Sequence, residues 1–345
     1  MRPLRQAALR CATGLALLLS MVCPATALDA GNVAVLYAAG DGDSRVLAGY
    51  YATRRGIPRE HVIAVDVDTG SANLPVDRFE RVRRELEDRL GDDIQALALA
   101  WTRPYRVGCM SVTSAFALGF DERYCAVGCK TTAANPYFAS FSAMPWRDHG
   151  IRPTMLLAAP GAAEARALVD RGVAADATNP PGTAYFIITP DRNRNTRAPR
   201  FALAQRLFGR WQNSVLLHDD AVRDRHDVMF YFIGARRVPG LDTLTFRPGA
   251  IADHLTSAGG VLDGSKQMSI LAWIEAGATG TYGTVVEPCN YPQKFPDPAI
   301  VMGRYINGDT LVEAYWKSVQ WPGQGLFVGE PLARPFTLPV EDATP

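Results

Sequence analysis

Beyond Val22 the chain has no long apolar run, so the mature protein is expected to carry no membrane-spanning helix. It has no excess of either charge. The formal net charge is +1, which leaves no footprint for nucleic acid or an anionic membrane surface. It has no tight Cys-x-x-Cys pair of the kind most zinc sites use. It has no Gly-x-Ser-x-Gly elbow to present a serine nucleophile. The turn Gly40-Asp41-Gly42-Asp43 carries acids where a dinucleotide site needs glycines facing a pyrophosphate. No repeat of fixed period is visible. No cofactor and no metal is therefore expected.

What is present begins with a leader. Arg2, Arg5 and Arg10 form a basic stretch, Ala12 to Val22 is a short apolar core, and Ala25-Thr26-Ala27 is a small-x-small cleavage site. This pattern predicts a secretory signal peptide over residues 1–27, cut after Ala27, and hence a periplasmic or extracellular protein. Its loss leaves 318 residues and turns the net charge to −2, because three arginines and no acids depart. The mature chain keeps four cysteines, Cys109, Cys125, Cys129 and Cys289. An even count in an oxidising compartment points to two disulfides, with three possible connectivities.

Strand and helix patterns alternate along the chain. Apolar runs at Asn32–Ala38, His61–Val67 and Ile94–Trp101 read as strands, with helices at Arg45–Arg55 and Asp77–Leu90 between them. Residues 103–151 break the alternation and hold three of the four cysteines, so they read as a disulfide-pinned loop insertion. The second half resumes the alternation. Strands are expected at 152–158, 183–189, 215–217, 228–233 and 243–246, and helices at 162–171 and 201–211. Ile251–Leu255 starts a helix or ends a strand. A helix ending at Ala276, a strand over Thr279–Val286 and a helix over Thr310–Val319 follow. Gly329–Phe336 is a rigid turn, and the polar residues 337–345 read as a disordered tail. The fold class is α/β, with two consecutive units, residues 28–151 and 152–336, and mainly parallel sheets.

The stretch Gly277–Cys289 concentrates the signals of a site. Three glycines and small residues lead into a β-branched run that ends at Glu287, Pro288 and Cys289. Ends of such strands are where open α/β sheets hold ligands. Cys289 with His254 is the sharpest candidate for catalysis, since a thiolate needs a nearby base or positive charge. A bridged Cys289 is the competing assignment, and the even cysteine count favours it. Asp253, Thr256 and Ser257 at the preceding strand end, Glu287 and Asn290 after the later one, and Trp101 and Arg103 after the third strand complete the candidate cleft. Ser257 with His254 is a weaker hydroxyl nucleophile. His149-Gly150 lies inside the insertion. His218 with Asp219 and Asp220, and His226 with Asp227, read as solvated charge rather than as metal ligands. Phe295-Pro296-Asp297-Pro298 is a stiff segment leading to the last helix.

The helix before Gly277-Ala278, the strand after it, Thr310–Trp316 and Gly329-Glu330-Pro331 together resemble the gingipain-type branch of the caspase-like cysteine peptidases. Met110–Asp121, Gly277–Cys289, Lys294–Pro298 and Gly329–Phe336 resemble the recurring stretches of a family of exported bacterial proteins, a likeness that brings no activity with it. The gingipain-type resemblance implies a caspase-like order of elements and a His-Gly and a Cys at successive strand ends. Those positions hold Gly234-Ala235-Arg236 and His254-Leu255-Thr256-Ser257 instead. The leading expectation is thus a cleft that binds a peptide, glycan or small ligand without the peptidase dyad. A cysteine-type hydrolase using Cys289 and His254 is the alternative, and a structural or assembly partner in the cell envelope is the third reading.

Overall fold

Gly, Pro and Asp punctuate short apolar runs, and most of these runs become strands paired side by side. The computed structural model describes residues 28–210 and 212–337. The leader and residues 338–345 of the expected tail lie outside the described residues, as does Trp211. β1 (Val33–Ala38) turns at Asp41 into α1 (Gly42–Arg55). The Asp41 carboxylate accepts from the N–H groups of Asp43 and Ser44, satisfying two donors of the first turn. β2 (Val62–Val65), β3 (Asn73–Leu74), α2 (Val76–Glu87) and β4 (Ala96–Leu99) follow. α2 buries Phe79, Val82 and Leu86, the stripe its helical spacing predicts.

After β4 come β5 (Arg106–Val107), β6 (Met110–Ser111), α3 (Val112–Leu118), α4 (Pro145–His149) and β7 (Thr154–Leu156). The second half runs α5 (Ala162–Ala175), β8 (Thr183–Ile188), α6 (Ala198–Phe208), β9 (Asn213–His218), β10 (Arg225–Gly234) and β11 (Leu244–Leu255). It closes with α7 (Leu271–Ala276), β12 (Gly280–Thr284), α8 (Pro298–Ile306), α9 (Leu311–Ser318) and β13 (Gly325–Gly329).

Ten strands form one mixed, mostly parallel sheet in the order β2-β1-β4-β7-β13-β12-β11-β10-β8-β9. β12 and β13 pair antiparallel at its centre. Counted inward from either outer edge, each half has the same order: second, first, third, fourth. This is β2-β1-β4-β7 on one side and β9-β8-β10-β11 on the other. The order reverses direction between β1 and β4, and again between β8 and β10. Such reversals open crevices at the carboxyl ends of parallel strands. The small β3, β5 and β6 form a separate sheet.

Three segments sharpen or change the expectation. Residues 103–151 are not only loop: α3 buries six of its seven residues and packs on β13 and β7. Its Ser, Thr and Val content hides it, because those residues are mediocre helix formers. Ile251–Leu255, left open between a helix start and a strand end, is the strand end: the buried last part of the twelve-residue β11. Gly325–Gly329 is a fully buried central strand that was not foreseen, just ahead of the turn expected over Gly329–Phe336. The stiff Phe295–Pro298 segment leads into α8, with Asp297 accepting from the N–H groups of Ala299 and Ile300.

Candidate functional site

β11 carries the candidate residues Asp253 and His254 to the carboxyl edge of the sheet and turns them to opposite faces, as successive strand residues must be. His254 is buried against α7. Its Nδ1 accepts from the Trp273 indole N–H at 2.9 Å, so Nε2 carries the proton and donates to the Met268 carbonyl at 3.1 Å. Burial without a carboxylate partner pushes its pKa down to about 4. On the other face Asp253 is paired with Arg197. Arg197 Nη2 donates to Asp253 Oδ1 at 2.5 Å, and Nη1 to the Pro296 carbonyl at 3.1 Å. Both side chains are almost wholly buried. Burial raises the Asp253 carboxyl above the usual range, against the opposing pull of Arg197.

Cys289 is bonded to Cys129, and Cys109 to Cys125, each pair with its Cα atoms 5.5 Å apart. The catalytic assignment of Cys289 and His254 is thereby corrected. A sulfur held in a disulfide has no thiolate, and an imidazole with both nitrogens engaged in the core has no free base. Two disulfides fit an oxidising, exported setting. The Cys129–Cys289 bridge belongs to a larger clasp. Tyr291 Oη donates to the Cys129 carbonyl at 2.9 Å, and Lys294 Nζ to the Lys130 carbonyl at 3.0 Å. Burial lowers the Lys294 ammonium to about 8, with Glu287 acting in the opposite sense.

Above β11 and β12 the structure brings five candidates together. Thr256, Ser257, Glu287, Cys289 and Asn290 line a cleft of about 290 Å³ with Asn193, Arg194 and Phe295. Arg194 was not foreseen. It lies in the Arg/Asn-rich turn after β8. Its Nη1 donates to Asp191 at 2.6 Å and its Nε to the Thr256 hydroxyl at 3.0 Å. Thr256 in turn donates to Gln267 at 2.8 Å. Glu287 accepts from the Cys289 N–H at 2.7 Å, which fixes the corner where Cys289 sits at φ 60. Gly234 ends β10, next to the Arg194 turn. A Cβ there would run into the Arg194 carbonyl, so the turn that delivers Arg194 has taken that space.

Trp101 and Arg103 line a different and larger cleft, of about 710 Å³, at the reversal between β1 and β4. Ser44, buried beneath it, accepts from the Ala38 N–H and donates to the Ala100 carbonyl, both at 2.8 Å, tying the two strand ends together. Asp41, Asp43, Asp263 and Glu275 face this cleft with Arg103 and Arg166. Arg103 is ion-paired with Asp263, which also accepts from Tyr105 Oη at 2.9 Å. Asp263 and Leu262 belong to the loop joining β11 to α7, the same loop that gives Thr256 and Ser257 to the smaller cleft. Ser257 and Leu262 are five steps apart along the chain, a reach of at most about 18 Å.

His149 and His226 have structural partners. His149 Nε2 lies 2.8 Å from Ser140 Oγ, and His226 Nδ1 lies 3.1 Å from Thr245 Oγ1. Asp227 accepts from the hydroxyls of Thr183 at 2.6 Å and Tyr185 at 2.8 Å. Among the described residues no group of three or more His, Cys, Asp or Glu side chains is placed to hold a metal ion, and no helix is long and apolar enough to cross a membrane. Comparison with known protein families, with characterised proteins and with solved structures finds no match to this chain.

Proposed function

We propose that this is an exported binding protein that holds an extended polar ligand, a peptide or a glycan, along the strand-end edge, without turnover by a Cys–His dyad. The observation that carries it is the shared wall. One loop, 256–270, lines two neighbouring clefts, so a chain-like ligand lying across it meets both. The smaller cleft offers amides, hydroxyls and the opposed charges of Arg194 and Glu287. The larger offers more acids than arginines, which favours a ligand with amines or hydroxyl-rich rings there. The gingipain-type resemblance is read in the same way, as a peptidase-like scaffold whose dyad positions hold Gly234 and Thr256–Ser257. Assembly as the main role is less well supported, because the large exposed apolar side chains, Val46, Val127, Phe141, Leu207 and Val215, sit on five separate segments.

The test is a screen of the mature protein against peptide and oligosaccharide libraries, followed by calorimetry on the best binder. Arg194→Ala with Asn290→Ala perturbs the smaller cleft, and Asp43→Ala with Glu275→Ala the larger. Weakening by both pairs supports one extended ligand. Binding that survives both pairs, or peptide hydrolysis lost on Cys289→Ala, sinks the proposal.

A further inference from the structure

Glu313 is a carboxylate with no exposed surface, on the first turn of α9. Its Oε2 accepts from the Thr310 N–H at 3.0 Å, from the Thr310 hydroxyl at 2.7 Å and from the Leu28 N–H at 3.2 Å. Its Oε1 has no hydrogen-bond partner among the described residues. The one ammonium close by, Lys317 Nζ, is 3.5 Å from Oε1 and 2.8 Å from Asp309 Oδ2. Two carboxylates therefore share one cation in a place where an uncompensated charge is costly. Leu28 is itself only 3% exposed. It is fixed from behind, since Asp29 accepts from the Gly31 N–H at 2.8 Å and its own N–H donates to Asn32 Oδ1 at 3.0 Å, just ahead of β1.

Leu28 is also the residue that follows the small-x-small sequence Ala25-Thr26-Ala27. We propose that cutting the chain between Ala27 and Leu28 creates an α-ammonium on Leu28 that docks on Glu313 as the missing second cation, so that removal of the leader completes the buried core. The step is a hydrolysis by an endopeptidase of the export route. Water adds its hydroxyl to the Ala27 carbonyl, the amide bond breaks, and the Ala27 carboxylate leaves on the leader. The Leu28 nitrogen keeps one proton from water and takes another from solvent, since an α-amine ordinarily titrates near ~8. Before the cut, the Leu28 nitrogen offers Glu313 a neutral amide N–H. After it, the same nitrogen offers a positive charge and two further donors beside the carboxylate, 3.2 Å from Oε2. Such an arrangement couples export to final stability. The chain with its leader attached folds around an under-neutralised Glu313, and the processed chain does not.

Three measurements decide the matter, the first two on the protein expressed at full length through an export route. N-terminal sequencing of the exported protein should give Leu28 first. The α-amine of that protein should react with an amine-acylating reagent at least about tenfold more slowly when native than when unfolded in urea, since it is buried in an ion pair. Glu313→Gln should lower the melting midpoint of the chain that begins at Leu28 by roughly 5–10 °C. It should lower that of a chain retaining Ala27 by clearly less. A different first residue, labelling at the unfolded rate, or equal losses in the two chains overturns the proposal. If the Gln variant does not fold, sequencing and labelling decide alone.

Discussion

Acid should unfold this protein through His254, and the size of the effect can be worked out from its surroundings. The folded imidazole is neutral and wholly buried, with Nδ1 filled by the Trp273 N–H and Nε2–H committed to the Met268 carbonyl. Burial is the first cause of its depressed pKa, and the positive charges of Arg197 and Arg194 add to it. In the unfolded chain the same residue titrates near 6.5, and in the folded chain at about 4. The folded pKa lies below the unfolded one. The stabilisation is therefore complete above pH 6.5 and is lost as pH falls towards 4, because over that interval only the unfolded chain takes up the proton. At ~1.4 kcal/mol per pH unit the loss is about 3 kcal/mol.

Urea unfolding between pH 7.5 and 4 of the native protein and of His254→Gln checks this. Glutamine keeps polar atoms near Trp273 and Met268 but does not titrate. The difference in unfolding free energy between the two proteins should be flat above pH 7 and should shrink by about 3 kcal/mol by pH 4. A difference independent of pH, or a His254 ring signal that titrates near 6.5 in the native state, would refute the account. It would also reopen His254 as a base.

Three further outcomes follow from the same geometry. Replacing both Cys129 and Cys289 by Ser opens a closure spanning 160 residues, against 16 for Cys109–Cys125. Loop-closure entropy then costs about 5 kcal/mol for the first bridge and about 3 for the second; urea midpoints of the two double variants should fall in that order. Arg197→Met strands the Asp253 carboxylate in the core and should cost about 3–5 kcal/mol by urea unfolding, most of it regained when Asp253→Leu is added. Gly283→Ala would put a Cβ 2.6 Å from the Gly260 N; it should cost about 1–3 kcal/mol and, by displacing the 256–270 loop, weaken ligand binding in the calorimetric assay.

The alternation of apolar runs and amphipathic stretches made most of the sheet legible. β1, β4, β8 and the α2 stripe follow directly from it. α3 and β13 stayed hidden for different reasons. α3 is a Ser/Thr-rich helix whose stability comes from burial on the sheet, a tertiary effect that local propensity does not register. β13 is five residues with a glycine at each end, and it owes its strand form to pairing with β12, which is far from obvious at that length. At the strand ends, Thr256, Ser257, Glu287 and Asn290 could be grouped in advance because each follows or ends an apolar run. Arg194 could not, because nothing local reveals that its turn folds over β10. Trp101 and Arg103 were assigned to the same cleft only because both ends face one edge of the sheet. The β1/β4 reversal that separates them becomes visible only with the strand order.

The stretch Gly277–Cys289 owes its character to packing rather than to reactivity. Gly283 in β12 and Gly260 in the loop after β11 lie so close that a Cβ on either would meet the other's backbone. That contact seats the 256–270 loop on β12, where Gly260 N donates to the Thr284 carbonyl at 3.0 Å. The Thr284 hydroxyl, at the end of the strand, donates to the Ser257 carbonyl at 3.0 Å. Three residues past Thr284, Glu287 turns the chain, and Cys289 pins it to Cys129. Loop and corner are thus the two banks of the smaller cleft, and each is held independently, one by glycine contact and the other by a covalent bridge. A nucleophile at Cys289 would need the corner free to meet a substrate carbonyl. A preformed binding surface needs it fixed, and the bridge fixes it.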